Sequence, residues 1–252
     1  MSTESMTHKT VLVVGGAGSI GAAVAERFAG IGARVVISHR DAAEEVALAQ
    51  GVVKSLPGSG HFAAVADVTR SDTLAMLRKD IVSRCGRLDV LVNAAGFTKP
   101  VPHADLEGLD DELIDRMFAV NWRGQFAAIR TFAPLLKESG DGLIVSISSI
   151  AGSNGIGSSI AYCAAKAGID VMTKSLARVL APEVRVLAVA PGVVDTNFVP
   201  GRGSDFNQKT AATTPLKRIA TADDIASAIF ACSTQLTFST GTTIVVDGGR
   251  SL

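Results

Sequence analysis

The chain has few cysteines, no surplus of either charge and no apolar run long enough to span a bilayer, and each shortage excludes something. Cys85, Cys163 and Cys232 are odd in number and far apart, with no Cys-x-x-Cys pair. That excludes a disulfide framework and a zinc site, and reads as buried, reduced thiols in a cytosolic protein. Lys plus Arg and Asp plus Glu both count 24, so the net charge is zero and nothing asks for nucleic acid or an anionic membrane as partner. Residues 1–9 are polar and lack the apolar centre of a secretory leader. His39, His61 and His103 show no ligand spacing, so no metal is expected. Internal repeats, low-complexity tracts and linkers rich in Pro or Ser are missing as well. The expectation is a soluble cytoplasmic chain with a flexible tail over residues 1–9 and one domain over residues 10–252.

What is there is core. Hydrophobic residues make up 47% and charged residues 19%, the composition of a chain with a large buried interior. Residues 10–14 (Thr-Val-Leu-Val-Val) form a β-branched apolar run that stops at glycines, as a buried strand does. A helix over 20–31 follows, then a strand over 34–38, a helix from Asp41, a strand near 61–66, a helix over 71–85 and a strand over 88–92. A long helix over 110–136, a strand over 142–148, a helix around Tyr162, a strand over 184–190, a helix from Asp223 and a strand over 243–246 complete the series. Strands apolar on both faces, alternating with helices, predict an α/β Rossmann fold: one doubly wound parallel sheet of about seven strands, helices on both sides.

The first strand runs into Gly15-Gly16-Ala17-Gly18-Ser19-Ile20-Gly21, in which Gly16, Gly18 and Gly21 spell G-x-G-x-x-G between a strand and a helix. Glycines there let the backbone approach a pyrophosphate held on the free N–H groups of a helix N-terminus. A strand-to-helix turn without ligand is the plainer alternative. The second strand ends Ser38-His39-Arg40, with no acid to bind a ribose 2′-hydroxyl and a guanidinium that suits a 2′-phosphate. NADP(H) is therefore favoured, with NAD(H) left open. Asp41 reads as the cap of the next helix.

Tyr162 and Lys166 stand four apart in a helical stretch after a Gly/Ser loop, and so share one face. A nearby ammonium lowers a phenol's pKa from about 10 and makes it a usable acid. Alone, such a pair is more often a surface contact. Taken with the glycine turn and the strand order, it makes the chain resemble the short-chain dehydrogenase/reductase family from Thr10 to Gly249, with overall similarity to 3-oxoacyl-carrier-protein reductases.

The resemblance implies roles residue by residue. The family's Thr-Gly-x-x-x-Gly-x-Gly lies over residues 14–21, with Val14 in place of Thr and Ser19 in place of the middle Gly. Gly15, Gly18, Ser19, Ile20 and Gly21 would cradle the cofactor, with His39 and Arg40 at the second strand's tip. Asp67 and Val68 look like the pair that holds the adenine. Asn93-Ala94-Ala95-Gly96 is similar to the family's Asn-Asn-Ala-Gly, and Pro191, Gly192, Val194 and Thr196 to the segment that holds the nicotinamide. Asn121, Ser149, Tyr162 and Lys166 match the catalytic set, Ser149 standing thirteen residues before Tyr162. Tyr162 is implied as acid, Ser149 as the carbonyl's hydrogen-bond donor, Lys166 as ribose ligand and pKa-lowering cation, Asn121 as anchor of a proton-relaying water. Cys163 reads as packing.

The implied partner is a small ketone or alcohol, since the segments at 137–142 and 181–183 lack the basic character an acidic carrier protein wants. Residues 97–100, 152–159 and 198–214 should border the pocket, the last as a mobile lid. A carrier-protein reductase, a non-catalytic NADP(H) sensor, or an epimerase or dehydratase remain as alternatives. The family suggests a homotetramer or dimer.

Overall fold

The computed structural model describes residues 6–201, 203 and 205–252. Seven strands form one parallel sheet in the order β3-β2-β1-β4-β5-β6-β7. They are β1 Thr10–Val14, β2 Arg34–His39, β3 Phe62–Val65, β4 Val90–Asn93, β5 Gly142–Ile147, β6 Val184–Pro191 and β7 Thr243–Val246. The strand order reverses between β1 and β4, where Val14 pairs with Asn93, and the crevice beyond the strand ends at such a reversal is where α/β sheets bind ligands.

Side chains alternate along each strand and feed two cores. Val11 and Val13 of β1 face the layer of α1 (Ser19–Gly30), α2 (Ala43–Ser55) and α9 (Ala222–Thr234), packing with Val24, Phe28, Ile225 and Ile229. Leu12 and Val14 face α3 (Ser71–Cys85), α5 (Gly124–Glu138) and α7 (Ile160–Leu180), packing with Leu77, Phe132 and Ile169. Burial on both faces explains why the strands read as continuous apolar runs. The Phe28 and Phe230 rings, 5.5 Å apart, and the Arg27–Asp223 ion pair tie α1 to α9.

Several details depart from the expectations. The long helix is α4 (Asp111–Phe118) and α5 joined through a π-helical segment, Ala119–Arg123, with Asn121 in that wide turn. The lid region contains a helix, α8 (Phe206–Thr213), rather than loop throughout; Arg202, part of the expected lid, lies outside the described residues. A short helix, α6 (Ala151–Asn154), follows β5. Asp41 does not cap α2: the residue at that position is Ala42, without a side-chain bond. Part of the tail expected over residues 1–9 is attached, because Met6 is buried in the α1 layer and its N–H donates to the Ile31 carbonyl at 3.3 Å. Of the three thiols, Cys163 and Cys232 are buried, whereas Cys85 is half-buried. Among the described residues no helix is long and apolar enough to cross a membrane, and no cluster of His, Cys, Asp or Glu could hold a metal.

Candidate active site

A cavity of about 980 Å³ opens at the carboxyl ends of β1, β4, β5 and β6. At one end lies the β1–α1 turn. Gly15 has φ +79°, and a Cβ there would sit 2.6 Å from the Ala95 nitrogen, so the turn needs glycine twice over. A Cβ on Gly21 would meet the Gly15 carbonyl oxygen at the same distance, 2.6 Å, whereas one on Gly18 would meet nothing closer than 3.5 Å. The first intrahelical bond of α1 runs from Ala22 N–H to the Gly18 carbonyl, and neither a side-chain cap nor an acidic residue covers the helix start. The N–H groups of Ser19, Ile20 and Gly21 therefore face the cavity they line with the positive end of the helix dipole behind them. That donor set fits the pyrophosphate of a dinucleotide.

At the other end α7 and β5 bring the chemical groups together. Ser159 caps α7, its hydroxyl accepting from Tyr162 N–H at 3.2 Å, and so fixes the first turn on which the phenol stands. Lys166, one turn on, is 3% exposed and donates to the Ile147 carbonyl at 2.7 Å. Its nitrogen lies 5.6 Å from the centre of the Tyr162 ring. Burial pushes the Lys166 pKa down to about 8, opposed by Asp170. The two adjacent serines divide. Ser148 is buried and donates to the Lys166 carbonyl at 3.2 Å. Ser149 is half-buried on the cavity wall, where its oxygen accepts from Ala151 N–H at 3.2 Å and its own proton is left for a guest. The Phe198 ring covers Tyr162, 6.3 Å away and tilted by 51°.

Other candidate residues act at a distance or elsewhere. Asn121 is buried and does not line the cavity; its amide donates to the Phe97 and Met117 carbonyls, 2.8 and 2.9 Å away, and its oxygen accepts from Phe97 N–H at 3.1 Å. A side chain so occupied braces the loop after β4, and a water would have to be held through the backbone. Trp122 locks the same turn to α7, its indole N–H donating to the Gly168 carbonyl at 3.2 Å. Gly15, Gly18, Ser19, Ile20, Gly21, Ala94, Gly96, Pro191, Gly192, Val194 and Thr196 all line the cavity. His39, Arg40, Asp67, Val68 and Asn93 do not. Asn93 is buried at the end of β4, donating to Ser146 at 3.3 Å. Asp67 closes a turn onto Thr69, accepting its N–H at 2.8 Å and its hydroxyl at 2.7 Å. Cys163 is packed, and burial raises its thiol pKa.

Sequence reasoning missed Glu45. Its carboxylate accepts Arg40 N–H at 2.9 Å and also grips the guanidinium, through Nε at 2.8 Å and through Nη2. The only sign of it was an acid in the first turn of α2.

Comparison with known proteins identifies the family. The profile of the family described as enoyl-(acyl carrier protein) reductase matches residues 15–251. The cis-4-hydroxycyclohexanecarboxylate dehydrogenase of Sinomonas cyclohexanicum is 37% identical over 250 residues, 98% of either chain. The 3-oxoacyl-[acyl-carrier-protein] reductase FabG of Staphylococcus epidermidis is 32% identical over 246 residues, 96% of this chain and 98% of its own. A short-chain type dehydrogenase/reductase from Mycobacterium ulcerans superposes with a TM-score of 0.89 at 28% identity, covering 98% of this chain and 91% of the other. The chain belongs to the short-chain dehydrogenase/reductase family. It is an oxidoreductase acting on CH–OH groups, similar to the 3-oxoacyl-carrier-protein reductases within that family.

The buried ammonium sets a pH dependence. Because the folded chain releases the Lys166 proton near pH 8 and the unfolded chain only near 10.5, the unfolded state binds more protons between those values, and stability rises with pH there. Urea melts of wild type and Lys166→Met at pH 7 to 10.5 should show the wild type gaining on the variant by up to about 3 kcal/mol. A constant difference across that range would contradict it.

Proposed function

We propose that the chain interconverts a ketone and a secondary alcohol using NADP(H), with Tyr162 as acid and base. One observation carries this: Tyr162, Ser149 and Lys166 converge on a cavity whose far end is the uncapped N-terminus of α1. The nicotinamide, when bound, supplies or takes up the hydride. In the reducing direction Tyr162 gives its phenolic proton to the substrate oxygen as charge builds on it, while the Ser149 hydroxyl donates to the same oxygen. The Lys166 ammonium favours the phenolate left behind. Asn121 and Trp122 hold the walls in place. The relatives' names support this chemistry: a hydroxycyclohexane acid and a 3-oxoacyl thioester both present a secondary alcohol or a ketone.

Self-association as a dimer or tetramer goes with this reading, supported by Val171 and Val179 exposed on α7 and Val245 on β7. Gel filtration at micromolar concentration should give more than the 25.9 kDa of one chain; a monomer peak would end that part of the proposal.

NADPH and NADH oxidation would be followed over β-keto esters, carrier-linked acyl groups and cyclic oxo acids such as 4-oxocyclohexanecarboxylate. Tyr162→Phe should lower kcat at least a hundredfold with cofactor affinity retained. Tyr162 is the only tyrosine, so its tyrosinate absorbance titrates alone, and it should appear at lower pH in wild type than in Lys166→Met. Full turnover by Tyr162→Phe would sink the acid–base role.

For the cofactor, Arg40 is the cation at the β2 tip and Glu45 its present partner. A 2′-phosphate must share or displace that carboxylate. Quenching of Trp122, the only tryptophan, reads binding without turnover. Glu45→Gln should tighten NADPH severalfold relative to NADH, and Arg40→Ala should erase the preference. Tighter NADH binding by the wild type would overturn NADP(H).

A further inference from the structure

Among the described residues that line the cavity there are two cations and no carboxylate. Lys166 is one, buried beneath Tyr162 and bonded to Ile147. The other is Arg250, half-buried in the loop after β7 and reaching the cavity from the side of α8. Its Nη1 donates to the end of that helix, to the Thr213 hydroxyl at 3.1 Å, the Thr214 hydroxyl at 3.4 Å and the Thr210 carbonyl at 3.5 Å. A cation at a helix C-terminus is favourable, and holding α8 down would by itself account for one nitrogen. It does not account for the remaining two. Nε and Nη2 meet no acceptor among the described residues, and no Asp or Glu there pairs with this guanidinium. Nε and one Nη present two parallel N–H groups, the geometry that a planar carboxylate matches bidentately.

Apolar side chains share the cavity lining with Arg250 and Tyr162: Phe198, Val199, Pro200 and Phe206 from the lid, and Ile156 from the loop before α7. In such surroundings an unneutralised guanidinium attracts an anion more strongly than it would in water. We propose that Arg250 receives a carboxylate at the far end of the substrate, so that the preferred class is an oxo acid or hydroxy acid with an apolar body between the two ends. The ketone or hydroxyl stands at Tyr162 and Ser149, the apolar body under Phe198 and Phe206, the carboxylate on Nε and Nη2 of Arg250. This rests on the reductase reading of the same cavity.

The test compares 4-oxocyclohexanecarboxylate with its methyl ester, which keeps the ketone and the body but lacks the charge. Wild type should prefer the acid in kcat/KM, and Arg250→Gln should cut that preference at least tenfold, mainly through KM, with part recovered in Arg250→Lys. An unchanged acid-to-ester ratio would overturn the proposal even if both rates fall, since that is what loosening of α8 alone would do. Weaker NADPH binding by Trp122 quenching with the ratio intact would place Arg250 on a cofactor phosphate instead, and overturn it equally. If neither compound is turned over, the reductase reading fails for them, and calorimetric binding to the cofactor-loaded protein still decides. Acid bound at least tenfold more tightly than ester by wild type, and not by Arg250→Gln, upholds the anion site; equal affinities refute it.

Discussion

A single buried ammonium organises the active half of the molecule. Lys166 leaves water almost completely, and the offsetting bond it makes, to the Ile147 carbonyl, joins the middle of α7 to the last residue of β5. Ser148, next along the chain, returns a bond to the Lys166 carbonyl. These two contacts set the height of α7 against the sheet, and with it the positions of Tyr162 above and Ser149 beside. Desolvating a charge costs several kcal/mol, more than one hydrogen bond returns, so this is a place where the chain gives up stability. The large apolar layers on either side of the sheet make that sustainable.

The α1 end of the cavity is built on the opposite principle: the residues lining it supply positive potential from the backbone and not from charged side chains. The backbone N–H groups at the start of α1 are left open because Gly18 offers no cap and the first turn holds no acid. Close packing around Gly15 and Gly21 keeps that helix start near the sheet. Fixed dipoles of this kind need no reorganisation when a phosphate arrives. The cavity is thus lined by a dipolar helix start, by Tyr162 and Ser149, and by the Arg250 guanidinium.

Much of the fold could be read from residue types alone, because buried parallel strands announce themselves as β-branched runs and a glycine cluster between strand and helix marks a backbone that must turn tightly. Tyr162 and Lys166 were legible by spacing, which a helix converts directly into position, whereas Ser149 was told from Ser148 only by the family resemblance. What escaped depended on contacts between distant segments. Nothing in Ala119–Arg123 marks a π turn, in which Asn121 meets Phe97, twenty-four residues back. The segment at 198–214 reads as loop because its glycines and prolines precede eight residues of mixed polarity that become α8. Arg40 was visible as a cation, but its partner Glu45 was hidden, since an acid early in a helix is ordinary. Arg250 follows a Gly-Gly pair, and only the fold brings it beside the end of α8 and onto the cavity.

The π turn also gives the helix pair a one-sided tolerance of length change. It accommodates one residue more than the regular spiral would, so the faces of α4 and α5 keep their phase across it. Losing a single amino acid between Ala119 and Arg123 would restore an unbroken helix and leave Leu113 and Met117 over Ala161 and Ala165 of α7. A second deletion would have no wide turn to draw on, and would swing the α4 face by about 100°.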